Sequence, residues 1–409
     1  MIASGRPTWL TLTEEALRLF FPLAALHGAL WPLMWTWLFA LDLPGRSALP
    51  ATLWHAHEMT FGTFGAALLG FILTAVPEWT GTRRAGPCLI LVLAGAWALA
   101  RFAGFIGADW ANPVAAIADI AWLAALVGFV LRAGLRARTT ALGGFAVWLG
   151  AMLISEAVFR AGIVTHDADL AGGALWIALL AFAALLSLAL ARIAPAITNR
   201  ILDPSRVTAP FRPHPGRRHL AAGLLAGLLA AELAGASAAV TGYLAIAAGA
   251  AFFDRVSESF IGKAFFRLEI LALAGSAAFA GAGLVLIGCG RLGAGGLEIA
   301  GVHVLSMGGL GIAVLGVFSI AGKLHTGQEL GLSPWMWAAF ALLMSAVLLR
   351  ALPAIGVVPP GPAHGLASIA WASAFLIWIR LYWPAFSKPS EFFGESSGVN
   401  QSDPTDTVC

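Results

Sequence analysis

The sequence predicts an all-α membrane protein, a bundle of about twelve transmembrane helices with both termini in the cytoplasm. Three observations predict it. The 409-residue chain is 59% hydrophobic and 11% charged, with mean hydropathy +0.85, whereas soluble domains carry about 25% charged residues. Twelve apolar stretches approach the roughly 20 residues needed to cross a bilayer, and no alternating ten-residue segments of a β-barrel accompany them. With the N-terminus inside, nineteen of the 24 basic residues fall on the cytoplasmic side, and only Arg46, Arg101, Arg160, Arg291 and Arg350 fall opposite. Such a bias orients a membrane protein. The formal charge of +3 follows from it and does not point to nucleic acid.

Each span has its own justification. The first, 18–40, follows polar Thr11 to Arg18 with no short apolar run ending in a cleavage site, and is expected to stay in the mature protein. The second, 55–78, opens on Trp-His-Ala-His-Glu-Met-Thr-Phe-Gly (54–62) and runs uncharged from Thr63 to Val76, with Glu78 at its inner end. Arg83 and Arg84 mark the inner turn before the third, 87–106. The fourth and fifth, 112–132 and 139–160, flank basic Arg132, Arg136 and Arg138. The sixth, 171–195, runs into the charged, Pro-bearing break Arg192 to His219. The seventh and eighth, 219–235 and 237–253, are short and joined by Ala236 alone. The last four are 264–289, 297–320, 334–357 and 363–387. Tryptophans near span ends, Trp31, Trp54, Trp79 and Trp335 among them, suit interfacial belts. The expected organisation is a six-span half (1–198), a cytoplasmic basic linker (199–218), a second six-span half (219–387) and a disordered cytoplasmic tail (388–409).

Metal-capable side chains gather in two spans. His55, His57, Glu58 and Met59 stand at the mouth of the second, and His303 and Met307 repeat the His55/Met59 spacing in the tenth. Residues at i and i+4 share a helix face, so each span offers a His/Met stripe. His55 and His57 diverge by about 200° in a regular helix, and no second His follows Glu58 in the zinc-protease pattern. Capping of free amides by the imidazoles and Glu58 is the structural alternative. His303 in an apolar span is either bonded to a neighbouring helix or a ligand, since intramembrane imidazole suits haem iron and copper. His27 is a further candidate of lower rank. Arg101, Asp119, Glu156 and His364 fall toward the outer side and suggest a polar vestibule leading to His55 and His303. Arg101 with Asp119 also reads as a structural ion pair. Cys88, Cys289 and Cys409 are scattered and imply no disulfide framework. The absence of Cys-x-x-Cys-His excludes covalent c-type haem attachment.

Five blocks in order resemble the NnrS family: His55-Ala-His-Glu-Met59, Leu73-Thr-Ala-Val-Pro-Glu-Trp-Thr-Gly81, Arg192-Ile-Ala-Pro-Ala-Ile-Thr198, His303-Val-Leu-Ser-Met-Gly-Gly309 and His325-Thr-Gly327. The resemblance implies a multi-pass protein of the bacterial inner membrane that contains haem b and copper and is tied to nitric oxide and nitrosative stress. It makes His55, His57, Glu58, His303 and His325 metal residues. Two positions depart from the family: Glu269 stands where relatives have His, and Ile320 where they have Arg.

The leading expectation is therefore a haem- and copper-binding membrane protein that handles nitric oxide or a related small ligand. Its electron donor is unknown, because no flavin, nicotinamide or iron–sulfur signature is present. The alternatives are a secondary transporter, exporting a solute or metal ion by proton coupling, and a scaffold whose metal is structural.

Overall fold

The computed structural model describes residues 8–38, 50–107 and 110–389. Among these there are thirteen helices and no strand. A short α1 (Thr8–Leu12) precedes α2 (Ala16–Leu38), α3 (Ala51–Thr80), α4 (Pro87–Ile106), α5 (Asn112–Arg136), α6 (Gly143–Thr165) and α7 (Ala168–Leu202). After the linker come α8 (Leu220–Leu233), α9 (Ala238–Val256), α10 (Leu268–Arg291), α11 (Leu297–His325), α12 (Pro334–Ala351) and α13 (Pro360–Phe386). Eleven are long and apolar enough to span a bilayer. The seventh expected span forms α8, whose 14 residues reach only about 21 Å. The expected tail lies outside the described residues from 390 onward, as does Arg46.

Local sequence explains the boundaries. Proline in the first turn starts α4, α5, α12 and α13, where its missing N–H costs nothing. Asp167 and Ser237 accept the Leu170 and Val240 amides at the starts of α7 and α9, the usual N-cap bond. Gly81 ends α3 in the left-handed region, at φ 63°, a conformation glycine adopts without a Cβ penalty.

Each helix from α2 onward packs against the next, and α13 returns to pack on α2, so the twelve form a closed ring. Every fourth one, α3, α7 and α11, turns inward. These three are the longest and most buried spans. Both ends of the described chain lie on one face: the Arg18 guanidinium donates to the carbonyls of Phe386 (3.3 Å) and Lys388 (2.8 Å). This is the basic, inner face.

Two central helices share an irregularity. α3 widens to π-helix over Glu58–Phe64, directly after His57, and α11 over Val304–Gly311, directly after His303. π-helical turns are rare and recur at functional sites. At the end of each π segment a glycine meets an indole: a Cβ on Gly65 would lie 3.1 Å from Trp122, and one on Gly311 2.7 Å from Trp371. The His/Met echo in the sequence is thus accompanied by an echo in backbone geometry.

Candidate metal centre and buried ion network

The outer ends of α2 to α6 enclose a network of charged side chains that the lipid-facing surface does not reach. Glu58, Asp119 and Glu156 are buried, as are Arg101, Arg160 and His57. Asp119 is the hub. It accepts from Arg101, from Arg160 NH2 at 2.6 Å and from Trp122 Nε1 at 2.8 Å. Arg160 also donates through Nε to Glu156 at 2.6 Å, and Arg101 NH1 stands 3.3 Å from Glu58. Each ring nitrogen of His57 faces a carboxylate: Nδ1 lies 3.2 Å from Glu58 and Nε2 2.9 Å from Glu156. Arg160 is farther from Nε2, at 3.4 Å.

Charge counting gives this network its character. Three carboxylates meet two guanidiniums, one positive charge short of neutrality. Burying an unpaired charge costs several kcal/mol. An imidazolium at His57, donating from both nitrogens, supplies the missing charge where the geometry asks for it. His57, Asp119 and Glu156 could also offer ligand atoms within 4.8 Å of one another to a metal ion. A metal there would compete with Arg160, which already bonds both carboxylates. The donor set favours a proton over a metal at this point.

His27 joins the network from α2. Its Nδ1 lies 2.9 Å from Thr63 Oγ1 and its Nε2 3.5 Å from Glu58, and the ring stacks along Trp31 and meets Trp97 edge-on. Thr63 in turn donates to the Met59 sulfur at 3.9 Å, so Met59 is turned toward α2.

A second group has the opposite character. His55 stacks on Trp35 at 4.7 Å, and its buried Nδ1 has no hydrogen-bond partner among the described residues. His303 and Arg350 lie within electrostatic reach of it. His303 Nδ1 lies 2.8 Å from the Ile299 carbonyl, one turn back in its own helix. That bond makes Nδ1 the donor and leaves the Nε2 lone pair available, the arrangement by which a second contact fixes a ligand imidazole. His364 accepts from Arg350 NH1 at 3.0 Å. The outer ends of α3, α11, α12 and α13 thus place His55, His303, Arg350 and His364 within electrostatic reach of one another. Met307 instead packs into the apolar contact of Ala300, Val304, Val347 and Ala351.

His325 is separated from all of these. It ends α11 twenty-two residues beyond His303, about 33 Å along the axis. There its Nδ1 faces Glu15 at 3.1 Å and its Nε2 faces Glu78 at 3.6 Å. Both departures from the family pattern also lie at this inner end. Glu269 is paired with Arg267 at 3.0 Å, and Ile320 is buried in an apolar wall.

Of the residues singled out in the sequence, Glu58, Arg101, Asp119, Glu156 and His57 form one cluster and His55, His303 and His364 another. Arg160 and Arg350 are the members that sequence reasoning missed. For Arg160, its position four after Glu156 on the same helix face was the available signal. The NnrS family model, described as NnrS protein, matches residues 11–390, and no curated protein matches the chain.

Proposed function

The chain belongs to the NnrS family, and from that premise we propose that it is a haem- and copper-binding protein of the bacterial inner membrane that acts in nitric oxide metabolism or protection from nitrosative stress. One observation carries this reading: His55, from the second span, has a buried ring nitrogen with no hydrogen-bond partner among the described residues, and His303, from the tenth, lies within electrostatic reach of it. Leaving a buried polar atom unpaired costs about 1–3 kcal/mol, and a metal bond would remove that cost.

His55 and His303 would hold the metal, which when bound supplies a coordination position for a small diatomic ligand. Neutral imidazole suits copper and haem iron alike. Arg350 is bonded to His364, and the bond of His303 Nδ1 to the Ile299 carbonyl leaves its Nε2 lone pair available. The network around Asp119 borders this centre and holds its charges apart from lipid.

The test is metal analysis and an absorption spectrum of the purified protein. His55→Ala and His303→Ala should each lose most of the bound metal, whereas His325→Ala should keep it. Protein made with haem and copper both supplied, yet containing neither, would overturn the reading. A proton-coupled transporter is the second reading, favoured by the charge deficit among the buried carboxylates. Proton-coupled uptake into vesicles by protein without a chromophore would support it instead.

A further inference from the structure

The central helices enclose a second site at their other end. Between α2, α3, α7 and α11 lies a cavity of about 170 Å³ whose inner mouth carries Thr74, Glu78, Arg192 and His325. It shares Phe21, Phe71, Ile193 and Val317 with a deeper compartment of about 90 Å³ that is apolar on every side. Phe64, Phe145, Phe182 and Phe318 wall the deeper part.

The mouth offers both signs and both kinds of hydrogen bond. Glu78 is an acceptor beside open solvent. His325 commits Nδ1 to Glu15, so Nε2 is left toward Glu78 at 3.6 Å, a separation longer than a direct hydrogen bond. A hydroxyl oxygen can bridge that gap, because it has a proton to give the carboxylate, whereas a carbonyl oxygen only accepts. Arg192 lies over the rings of Trp79 (4.6 Å) and Phe145 (5.6 Å) and gives NH2 to the Ala141 carbonyl. A guanidinium carries five donors, so others remain. An anionic head would meet Glu78 and a cationic one Arg192, so a neutral head fits best. Both compartments fall below the 300–1,000 Å³ of a drug-sized pocket, which limits the buried part to about one ring. Aromatic walls favour a flat one.

We propose that this cavity binds the ring of a hydroquinone drawn from the membrane, with one ring hydroxyl donating to Glu78 beside His325 Nε2. The site is independent of the metal reading, since it lies at the opposite end of α3 and α11.

The experiment is calorimetric titration of the full-length protein in detergent with a benzoquinone carrying a short alkyl chain, in oxidised and reduced forms. One saturable site is expected, with tighter binding of the reduced form. Ala75→Phe, which fills the inner compartment, should weaken binding at least about tenfold, and Glu78→Gln, at an exposed position that folding tolerates, should weaken the hydroquinone about tenfold, the loss of one charged hydrogen bond. Metal content should be unchanged in both variants. Absence of saturable binding would overturn the proposal, as would wild-type affinity in both variants. Equal displacement by a medium-chain fatty acid would overturn it too, because the cavity would then read an acyl chain and not a ring.

Discussion

At the scale of single residues, the outer network turns on Arg160. It bonds Asp119 and Glu156 at once, and both acids are buried. Arg160→Met would take a shared cation from two buried carboxylates and should cost about 3–5 kcal/mol, read as a large fall in melting temperature. Arg217→Met is the contrast. Arg217 bonds Asp254 at the same 2.6 Å, but the two side chains are 29% and 43% exposed, and exposed pairs contribute about 0–1 kcal/mol. Equal losses from the two variants would contradict the assignment of burial as the deciding factor. Parts of this network were legible in the sequence. Arg101 and Asp119 stood on adjacent spans, and Glu156 stood out as an acid in lipid. The contact of His57 with Glu156 was not legible, because it joins residues 99 apart whose meeting depends on how α3 and α6 pack. The stacking of His27 between Trp31 and Trp97 was hidden for the same reason.

At the scale of elements, spans could be read because bilayer thickness imposes their length, and their ends because Pro, Asp and Ser act locally. The π segments could not. Their sequences, Glu58 to Phe64 and Val304 to Gly311, have the composition of ordinary helix. The extra residue is absorbed where Trp122 and Trp371 press on glycines from another helix. Close approach makes some glycines intolerant. A Cβ on Gly301 would sit 2.6 Å from the Gly283 carbonyl and from the Ile287 amide, backbone atoms that cannot step aside. Gly301→Ala should therefore destabilise by about 1–3 kcal/mol. Gly150→Ala, with nothing within 4 Å, should be neutral or slightly stabilising from helix propensity. Thermal unfolding of the two variants side by side checks this. The linker has a local order of its own. Asp203 accepts from the Ser205 and Thr208 amides at 3.0 and 2.7 Å and from the Thr208 hydroxyl at 2.7 Å. Hydrogen bonds from Ser205 and Thr208 hold its carboxyl well below the usual carboxylate range. A depressed value means the turn's stability is fully present above about pH 4, the unfolded aspartate value, and is lost as pH falls through the folded one. Hydrogen exchange at Thr208 should therefore show the same protection at pH 6 and 8, and Asp203→Ala should abolish it at both.

At the scale of the whole molecule, the ring closes through its termini. Arg18 is 1% exposed and holds the carbonyls of Phe386 and Lys388, while His325 and Arg84 converge on Glu15 beside it. Four helices, α2, α3, α11 and α13, share polar contacts there, at the face opposite the candidate metal centre. The positive-inside bias anticipated that both termini share a face, but not that one arginine joins them. Arg18→Met would leave the buried Phe386 carbonyl at the end of α13 without this donor, at about 1–3 kcal/mol, while the carbonyl of exposed Lys388 can turn to water. The loss should be local in the first instance, because α13 keeps its apolar contacts with α2 and α12. Hydrogen exchange should then rise at the C-terminal end of α13, from about residue 382 to 388, while amides of α5 and α6 stay protected. Arg160→Met should give the converse pattern, exchange rising at the outer ends of α5 and α6 with the end of α13 unchanged. If both variants loosened the same segments, the two polar clusters would be one cooperative unit, and separate functions at the two faces could not be tuned independently. Distinct patterns would mean that the apolar middle of α3, α7 and α11 insulates the outer centre from the inner mouth, as a protein with a site at each end of three shared helices requires.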